Sequence, residues 1–481
     1  MILRKLRILI SILVFVLFLF IFSSVDNHLA QPIANFLAFF QFIPSITKFI
    51  FAGVSITSIG FILILLLTLL FGRVYCSTLC PLGILQDFII HIFKKNKKFS
   101  FSCSYNLLRY SIFTITIVSF LVGTLIIINF LDPFSFLGKI ITDIIKPVLT
   151  LKNFKIYSSQ TRITFTIILP TSILLIIFLI MSITRGRLYC NSICPVGVIL
   201  GVISKYSLCR IFIDKEKCTS CKLCEIRCKA GCIDSKNKFV DLSRCVFCFN
   251  CLNSCPQNAL AYNFKMIKNY KKLNYSRRKF LLNLFAYSFS IFSLFQLRHF
   301  INDKKLLLTN VKKTPITPPG SLSIEHFTYS CTACHLCVSI CPSKVITPSL
   351  LEYGLTGIMQ PHLDYSQGYC EFECNACSLI CPSGAIKPIS IEEKKRTQLG
   401  IVKFIKENCI VYSQGRDCCL CCEYCPTQAV YPIKYKNLYA PQINPEICIG
   451  CGACEFICPA RPHKAMRVEG NKVHKKVKPP Q

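Results

Sequence analysis

The chain has 481 residues, 33 of them cysteine, and carries a formal net charge of +33. A mean hydropathy of +0.50 with 52% hydrophobic residues excludes an ordinary soluble globular protein, and the length leaves room for three or more domains. The charge would suit a nucleic-acid binder, yet no basic stretch interleaved with aromatics points to DNA or RNA. There is neither a G-x-G-x-x-G fingerprint nor a G-x-x-x-x-G-K-[ST] phosphate loop.

In chain order, uncharged apolar runs occupy Ile8–Val25, Phe49–Phe71, Tyr110–Phe130, Ile163–Ile183 and Phe280–Leu297. Each is near the roughly 20 residues that a membrane helix needs, which predicts five spans. Arg4, Lys5 and Arg7 precede the first run, so the positive-inside rule puts the N-terminus in the cytoplasm. Alternation then places the loop with Arg73, Lys94, Lys95, Lys97 and Lys98, and the segment from Lys205 to Lys279, on that same side. Lys139, Lys146, Lys152 and Lys155 fall outside, against the rule. No run contains a histidine, which excludes a transmembrane haem b on ligand grounds.

The second and fourth runs close on one repeated block: Gly72-Arg73-Val74-Tyr75-Cys76-x3-Cys80-Pro81-Leu82-Gly83 and Gly186-Arg187-Leu188-Tyr189-Cys190-x3-Cys194-Pro195-Val196-Gly197. The repeat predicts duplicated hairpins. Cysteines at i and i+4 share one side of a helical turn, and both blocks fall at the cytoplasmic face, where Cys76, Cys80, Cys190 and Cys194 can meet. Four thiols there suit a further cluster or metal, redox-active thiols, or two buried structural pairs. Repetition of the Arg, Tyr, both Cys, Pro and Gly favours a redox or quinone-linked role, because plain packing tolerates substitution.

Beyond Lys205 the cysteines fall into six arrays of one spacing, the clearest being Cys331-x2-Cys334-x2-Cys337-x3-Cys341-Pro342. A 4Fe-4S cluster takes four thiolates from a tightly turning backbone, and C-x2-C-x2-C-x3-C-P gives three to one cluster and the fourth to its neighbour. The arrays pair off. Cys218, Cys221, Cys224 and Cys228 go with Cys245, Cys248, Cys251 and Cys255. Cys331, Cys334, Cys337 and Cys341 go with Cys370, Cys374, Cys377 and Cys381. Cys409, Cys418, Cys421 and Cys425 go with Cys448, Cys451, Cys454 and Cys458. Exchanged ligation within each pair predicts six 4Fe-4S clusters, these cysteines being the iron ligands.

Structural zinc would join two cysteines to two more at a distance, not set four in one short run before proline. Cys331-Thr332-Ala333-Cys334-His335 also matches the C-x-x-C-H haem c pattern, but haem attachment has no use for Cys337 and Cys341-Pro342. Cys419 and Cys422 sit beside Cys418 and Cys421, so a register shifted by one residue stays open; Cys418/Cys421 keeps the x3-Cys-Pro ending. Cys103, Cys209 and Cys232 are left over. A cluster with four thiolates is a net anion, so much of the lysine excess compensates for it. The rest suits anionic lipid and acidic redox partners.

The fifth run opens with Ser276-Arg277-Arg278-Lys279-Phe280-Leu281-Leu282, which looks like a twin-arginine export signal. A domain that must take up its clusters in the cytoplasm has to cross the membrane folded, which this route permits. No A-x-A site follows Leu297, so the segment is expected to stay as an anchor. Thr314-Pro315-Ile316-Thr317-Pro318-Pro319-Gly320 reads as a Pro-rich linker.

The expected architecture is therefore multidomain, with an α-helical membrane domain of duplicated hairpins plus α+β units of the bacterial-ferredoxin type. The membrane domain covers 1–205 and a cytoplasmic two-cluster domain 206–265. A signal anchor spans 266–300, a linker 301–320, and an exported four-cluster domain 321–481. The twin C-x3-C-P blocks followed by a two-cluster unit resemble the NapH-type quinol dehydrogenase subunit. From Ser276 onward the export signal, the four-cluster array and the long gap from Cys409 to Cys418 resemble its periplasmic partner NapG, so the chain is similar to a fusion of the two. The NosR and CcoG families share the membrane motif. The resemblance implies an integral protein of the bacterial inner membrane. Menaquinol would be the donor, and a periplasmic reductase or c-type cytochrome of nitrate or nitrous oxide respiration the acceptor. The alternative of another class is a metal-handling assembly factor similar to the CcoG copper reductases. A covalent haem c protein is a third.

Overall fold

The computed structural model describes residues 2–23, 27–93, 99–102, 105–151, 161–264 and 314–478. The chain divides into two compact units, Met1–Ile21 with Asn35–Lys305, and Phe22–Ala34 with Leu306–Gln481.

The first unit opens on helix Ile2–Ser23, a 22-residue run of leucine, isoleucine, valine and phenylalanine after its basic start. Leu9, Ile12, Leu13 and Val16 point outward and are exposed, as on a helix that lipid would cover. Helix Thr161–Arg185 follows the same logic over Ile168–Arg185. Among the described residues these two are long and apolar enough to cross a membrane. Leu29–Phe39 with Phe42–Ala52, bent by 94°, makes a third if the pair is one broken span.

Two of the expected spans are not continuous helices. Phe49–Phe71 breaks after Ala52, where Gly53 takes a φ of +88° and Ser55 and Ser58 cap each other before the chain resumes as Gly60–Phe71. Tyr110–Phe130 stops at Leu121, where Gly123 turns left-handed and Thr124 bonds back to Ser119. In both places small hydroxyl side chains offer the backbone partners that compete with the helix. The fifth run, Phe280–Leu297, and the twin-arginine segment lie outside the described residues. Lys139, which counted against the expected topology, is fully buried; its Nζ donates to the Asn129 carbonyl at 2.7 Å and lies over the Phe130 ring.

Each repeated block folds as two short helices, Tyr75–Thr78 then Pro81–Phe93, and Leu188–Ser192 then Pro195–Ser204. Proline opens the second helix of each, where its missing N–H is no loss. After them comes a small α+β module. Cys209–Ile213 pairs antiparallel with Leu260–Phe264, and Ile233–Asp234 with Phe239–Val240. It packs directly on the blocks. A Cβ on Gly72 would sit 2.2 Å from the Phe247 ring, and one on Gly186 would sit 2.3 Å from the Lys229 carbonyl, so only glycine admits this approach.

The second unit is built from paired short strands and single-turn helices. Ile346–Pro348 pairs with Pro361–Leu363, Val430–Tyr435 with Leu438–Ile443, and Thr397–Phe404 with Met466–Lys476. Its core mixes apolar side chains such as Phe327, Leu363, Leu399 and Val468 with cysteines. The expected linker is packed over its described part. Ile316, Thr317 and Gly320 are buried. Thr314 and Ile316 accept from Gly470 and Leu363, and Lys387 donates to Gly320. A stretch whose carbonyls are satisfied by the module packs as part of its core.

Candidate iron–sulfur and thiol sites

In four of the six arrays the cysteines face inward because the backbone on both sides of the second one turns left-handed. Ser220 and Lys222 flank Cys221, Phe247 and Phe249 flank Cys248, Ala333 and His335 flank Cys334, and Gly450 and Gly452 flank Cys451, all with φ between +50° and +83°. Apart from glycine these residue types rarely adopt such angles, and the spacing of cysteines alone did not reveal them. A second left-handed residue recurs three positions after the fourth cysteine, at Gly231, Asn258, Lys344, Gly384 and Gln428. There the backbone folds back so that Ala259, Ile386 and Val430 aim their N–H groups at Cys255, Cys381 and Cys425, at 3.3 to 3.4 Å.

The cysteines gather around cavities in the crossed pattern. Cys218, Cys221 and Cys224 line one of about 360 Å³ with Cys255. Cys245, Cys248 and Cys251 line one of about 330 Å³ with Cys228, and Cys232 joins them. In the second unit Cys331, Cys334 and Cys337 meet Cys381, and Cys448, Cys451 and Cys454 meet Cys425, in cavities of about 290 Å³ each. Cys409, Cys418 and Cys421 meet Cys458 in one of about 320 Å³. The remaining set, Cys341, Cys370, Cys374 and Cys377, is close enough for mutual electrostatic contact. Cys419 and Cys422 are joined to each other by a disulfide. His335 is buried, with Nε2 2.8 Å from the Met359 carbonyl.

The donor sets fit iron–sulfur clusters. At least four sulfurs surround each cavity, and backbone N–H groups point at several of them. Burial pushes the Cys421 and Cys451 thiols up to about 12 and Cys224 to about 11, so iron must displace protons as it binds. Two of the sets in the second unit are joined by a backbone hydrogen bond, Cys370 N–H to the Cys451 carbonyl at 2.9 Å.

The repeated blocks bring Cys76, Cys80, Cys190 and Cys194 together in one buried cluster with Tyr75 and Tyr189. Two guanidiniums, both fully buried, close over them. Arg73 donates to Asn191, to the carbonyls of Ser243 and Cys190, and to the Cys76 sulfur at 3.7 Å. Arg187 donates to the Cys76 carbonyl and pairs with Asp87 at 2.8 Å. Asp87, which sequence reasoning passed over, also holds Arg7 at 2.9 Å and Lys229 at 3.3 Å. A lone acid in the helix after a Cys-Pro was its only signal. Val246 belongs to the same core, and Cys248 packs against it.

Cysteine quartets on tightly turned loops, set around matching cavities, define an iron–sulfur electron-transfer protein of the polyferredoxin class. Comparison with known proteins agrees. A 4Fe-4S binding domain matches residues 56–100 and 167–215, 4Fe-4S dicluster domains match 241–345 and 330–386, and a further 4Fe-4S binding domain matches 441–461. The chain belongs to the ferredoxin-type protein family represented by NapF of Escherichia coli, with which it is 31% identical over 146 residues, 30% of this chain and 80% of NapF. It is 33% identical to the uncharacterized protein MJ0749 of Methanocaldococcus jannaschii over 100 residues, 21% of this chain. To the putative electron transport protein YccM of Escherichia coli it is 26% identical over 219 residues, 43% of this chain. The alignments span only 39% of MJ0749 and 54% of YccM. No solved structure matches the chain.

Proposed function

We propose that the chain is a membrane-bound relay that takes electrons from menaquinol and delivers them, across the inner membrane, to a periplasmic reductase or c-type cytochrome. Six 4Fe-4S clusters, held in the crossed quartets described above, supply one-electron carriers. The protein's part is to hold them in series and to set their potentials through N–H···S bonds and burial.

The observation that carries this reading is the seating of the first ferredoxin module on the repeated blocks. Cys248 lies against the core that contains Cys76, Cys80, Cys190 and Cys194, and Lys229 of the same module closes the ion cluster on Asp87. A cluster site pressed on a four-thiol site in the helical domain is where quinol electrons would enter. Arg73 and Arg187 beside these thiols favour an anionic centre there, either a further metal–thiolate site or redox-active thiolates.

The test uses the full chain, anaerobically loaded with iron and sulfide, in sealed vesicles with its N-terminal side inward. Menaquinol should reduce the clusters seen by EPR, and an impermeant oxidant outside should drain them. Reduction of copper ions without any response to menaquinol would replace the relay with the assembly-factor reading.

A further inference from the structure

We propose that the Cys419–Cys422 disulfide is a redox-active site, fed one electron at a time by the cluster beside it and able to reduce disulfides of a partner molecule. The inference rests on reading Cys409, Cys418, Cys421 and Cys458 as that cluster's ligands.

Position is the first argument. Cys419 and Cys422 each follow directly on Cys418 and Cys421, both of which line the cavity completed by Cys409 and Cys458. In the other arrays the equivalent places, after the second and third cysteines, hold Lys222 and Glu225, Phe249 and Leu252, His335 and Val338, Asn375 and Ser378, or Gly452 and Glu455. The extra pair is therefore a feature of this site and not of the array.

The second argument is that a structural role is poorly served here. The bond joins residues only 3 apart, and the segment already folds through its own backbone, Cys422 N–H to the Cys419 carbonyl at 2.8 Å and Tyr424 N–H to Leu420 at 3.1 Å. A cross-link restrains the unfolded chain less the shorter the loop it closes. Elsewhere among the described residues the thiols are unbonded.

Access is the third. Both cysteines are half-buried, on a single-turn helix whose neighbours Leu420, Glu423 and Tyr424 are exposed. The pair is thus joined through the backbone to the ligands Cys418 and Cys421 and is partly open to solvent.

The chemistry balances. The Cys419–Cys422 S–S bond breaks as it takes two electrons, delivered singly through the adjacent 4Fe-4S cluster, and two protons from solvent, leaving two thiols. One of them, as thiolate, attacks a sulfur of the partner disulfide and expels a thiolate. The second then attacks the mixed disulfide, which restores Cys419–Cys422 and releases the partner as a dithiol. A one-electron wire is thereby coupled to two-electron thiol chemistry.

The test uses the cluster-loaded full chain under anaerobic conditions. Reductive titration with dithionite should consume two electrons per chain beyond those taken by the clusters. Alkylation followed by mass spectrometry should show Cys419 and Cys422 newly labelled, and the reduced protein should convert glutathione disulfide to glutathione. In Cys419→Ser/Cys422→Ser the two extra electrons and the glutathione activity should be lost, with iron content and cluster EPR unchanged. In Cys409→Ser, which removes a ligand of the adjacent cluster, the disulfide should stay unlabelled at the same dithionite. A pair that remains oxidised while every cluster is reduced overturns the proposal, as does a double variant that keeps the extra electrons. Loss of one cluster's iron from the double variant would instead show that the ligand register is Cys419/Cys422. Absence of iron from the Cys409 site in the parent chain would remove the relay reading on which the proposal stands.

Discussion

Arg73 in the first repeated block donates to the carbonyl of Cys190 in the second, at 3.2 Å, and Arg187 in the second returns the bond to the Cys76 carbonyl at 2.8 Å. The reciprocity makes the two blocks one site. Each arginine fixes the turn that aims the other block's cysteine, which gives a physical reason for their repetition in sequence. Both side chains are fully buried, so each guanidinium needs its full set of partners.

Gly83 and Gly197 follow from that arrangement. A Cβ on Gly83 would lie 2.2 Å from the Cys76 carbonyl oxygen, and one on Gly197 would lie 2.1 Å from that of Cys190. Gly83→Ala and Gly197→Ala should each destabilise the helical domain by about 2 kcal/mol or more, since neither carbonyl can yield without losing its arginine. Gly415→Ala, at φ +65° and ψ +27° with nothing within 4 Å, should cost only the about 1 kcal/mol of a left-handed alanine. Thermal unfolding in detergent of the three variants checks this ordering; equal losses would refute it.

Asp87 accepts three cations from three parts of the chain, and the depth of each predicts its weight. Arg187 is fully buried, whereas Lys229 is 17% exposed. Arg187→Gln should cost about 3 kcal/mol, because it takes the deepest of three cations from a largely buried carboxylate and the donor from the Cys76 carbonyl. Lys229→Gln should cost about 1 kcal/mol and chiefly loosen the first ferredoxin module. Proteolysis of the module in the two variants, followed by mass spectrometry, separates a global from a local effect.

Cys232 makes the second site of the first ferredoxin module a five-thiol cavity, with its sulfur 3.5 Å from that of Cys228. It stands where Ala259, Ala385 and Ala429 stand after the fourth cysteine of other arrays. Cys232→Ala should retain all the iron but make that cluster harder to reduce, by the worth of one weak hydrogen bond, about 1 kcal/mol or less. Cys228→Ala should lose the cluster unless Cys232 takes over as ligand. Iron analysis with an EPR-monitored redox titration decides between the two cysteines.

The arrays were legible because iron–sulfur ligation fixes both residue type and spacing; five of the six predicted quartets line a common cavity, and the sixth lies within mutual electrostatic contact. The left-handed residues that aim the sulfurs were not, since Phe247, Phe249 and Lys222 are side chains no turn rule would choose; the cavity dictates those angles. Apolar runs located the helical domain but not its breaks. Ser55, Ser58 and Thr124 interrupt helices by hydrogen bonds that a hydropathy count ignores. The segment Thr314–Gly320 has a linker's composition, yet its carbonyls are used by strands far away in sequence, which no local signal records. The Arg73 and Arg187 repeat was plain in the sequence. Its meaning, each arginine serving the other block, required the two blocks to be seen together.

The last prediction concerns pH and the second unit. The His474 ring lies against Thr317, with Nε2 2.8 Å from its hydroxyl, and burial holds the imidazole down at about 4. In the unfolded chain the ring takes up its proton near pH 6.5, so between those values the unfolded state binds more protons than the folded one. The contribution of His474 is thus full above pH 6.5 and is lost as the pH falls toward 4, by up to about 3 kcal/mol. Clusters are themselves acid-labile, so the informative quantity is a difference between variants. His474→Gln keeps a partner for Thr317 but cannot titrate, and it should unfold with a shallower loss of stability from pH 7 to pH 4.5 than the parent chain. The comparison is made by denaturant unfolding of the cluster-loaded full chain. Parallel pH profiles for the two proteins would show that the ring is hydrated and free to protonate in the folded state.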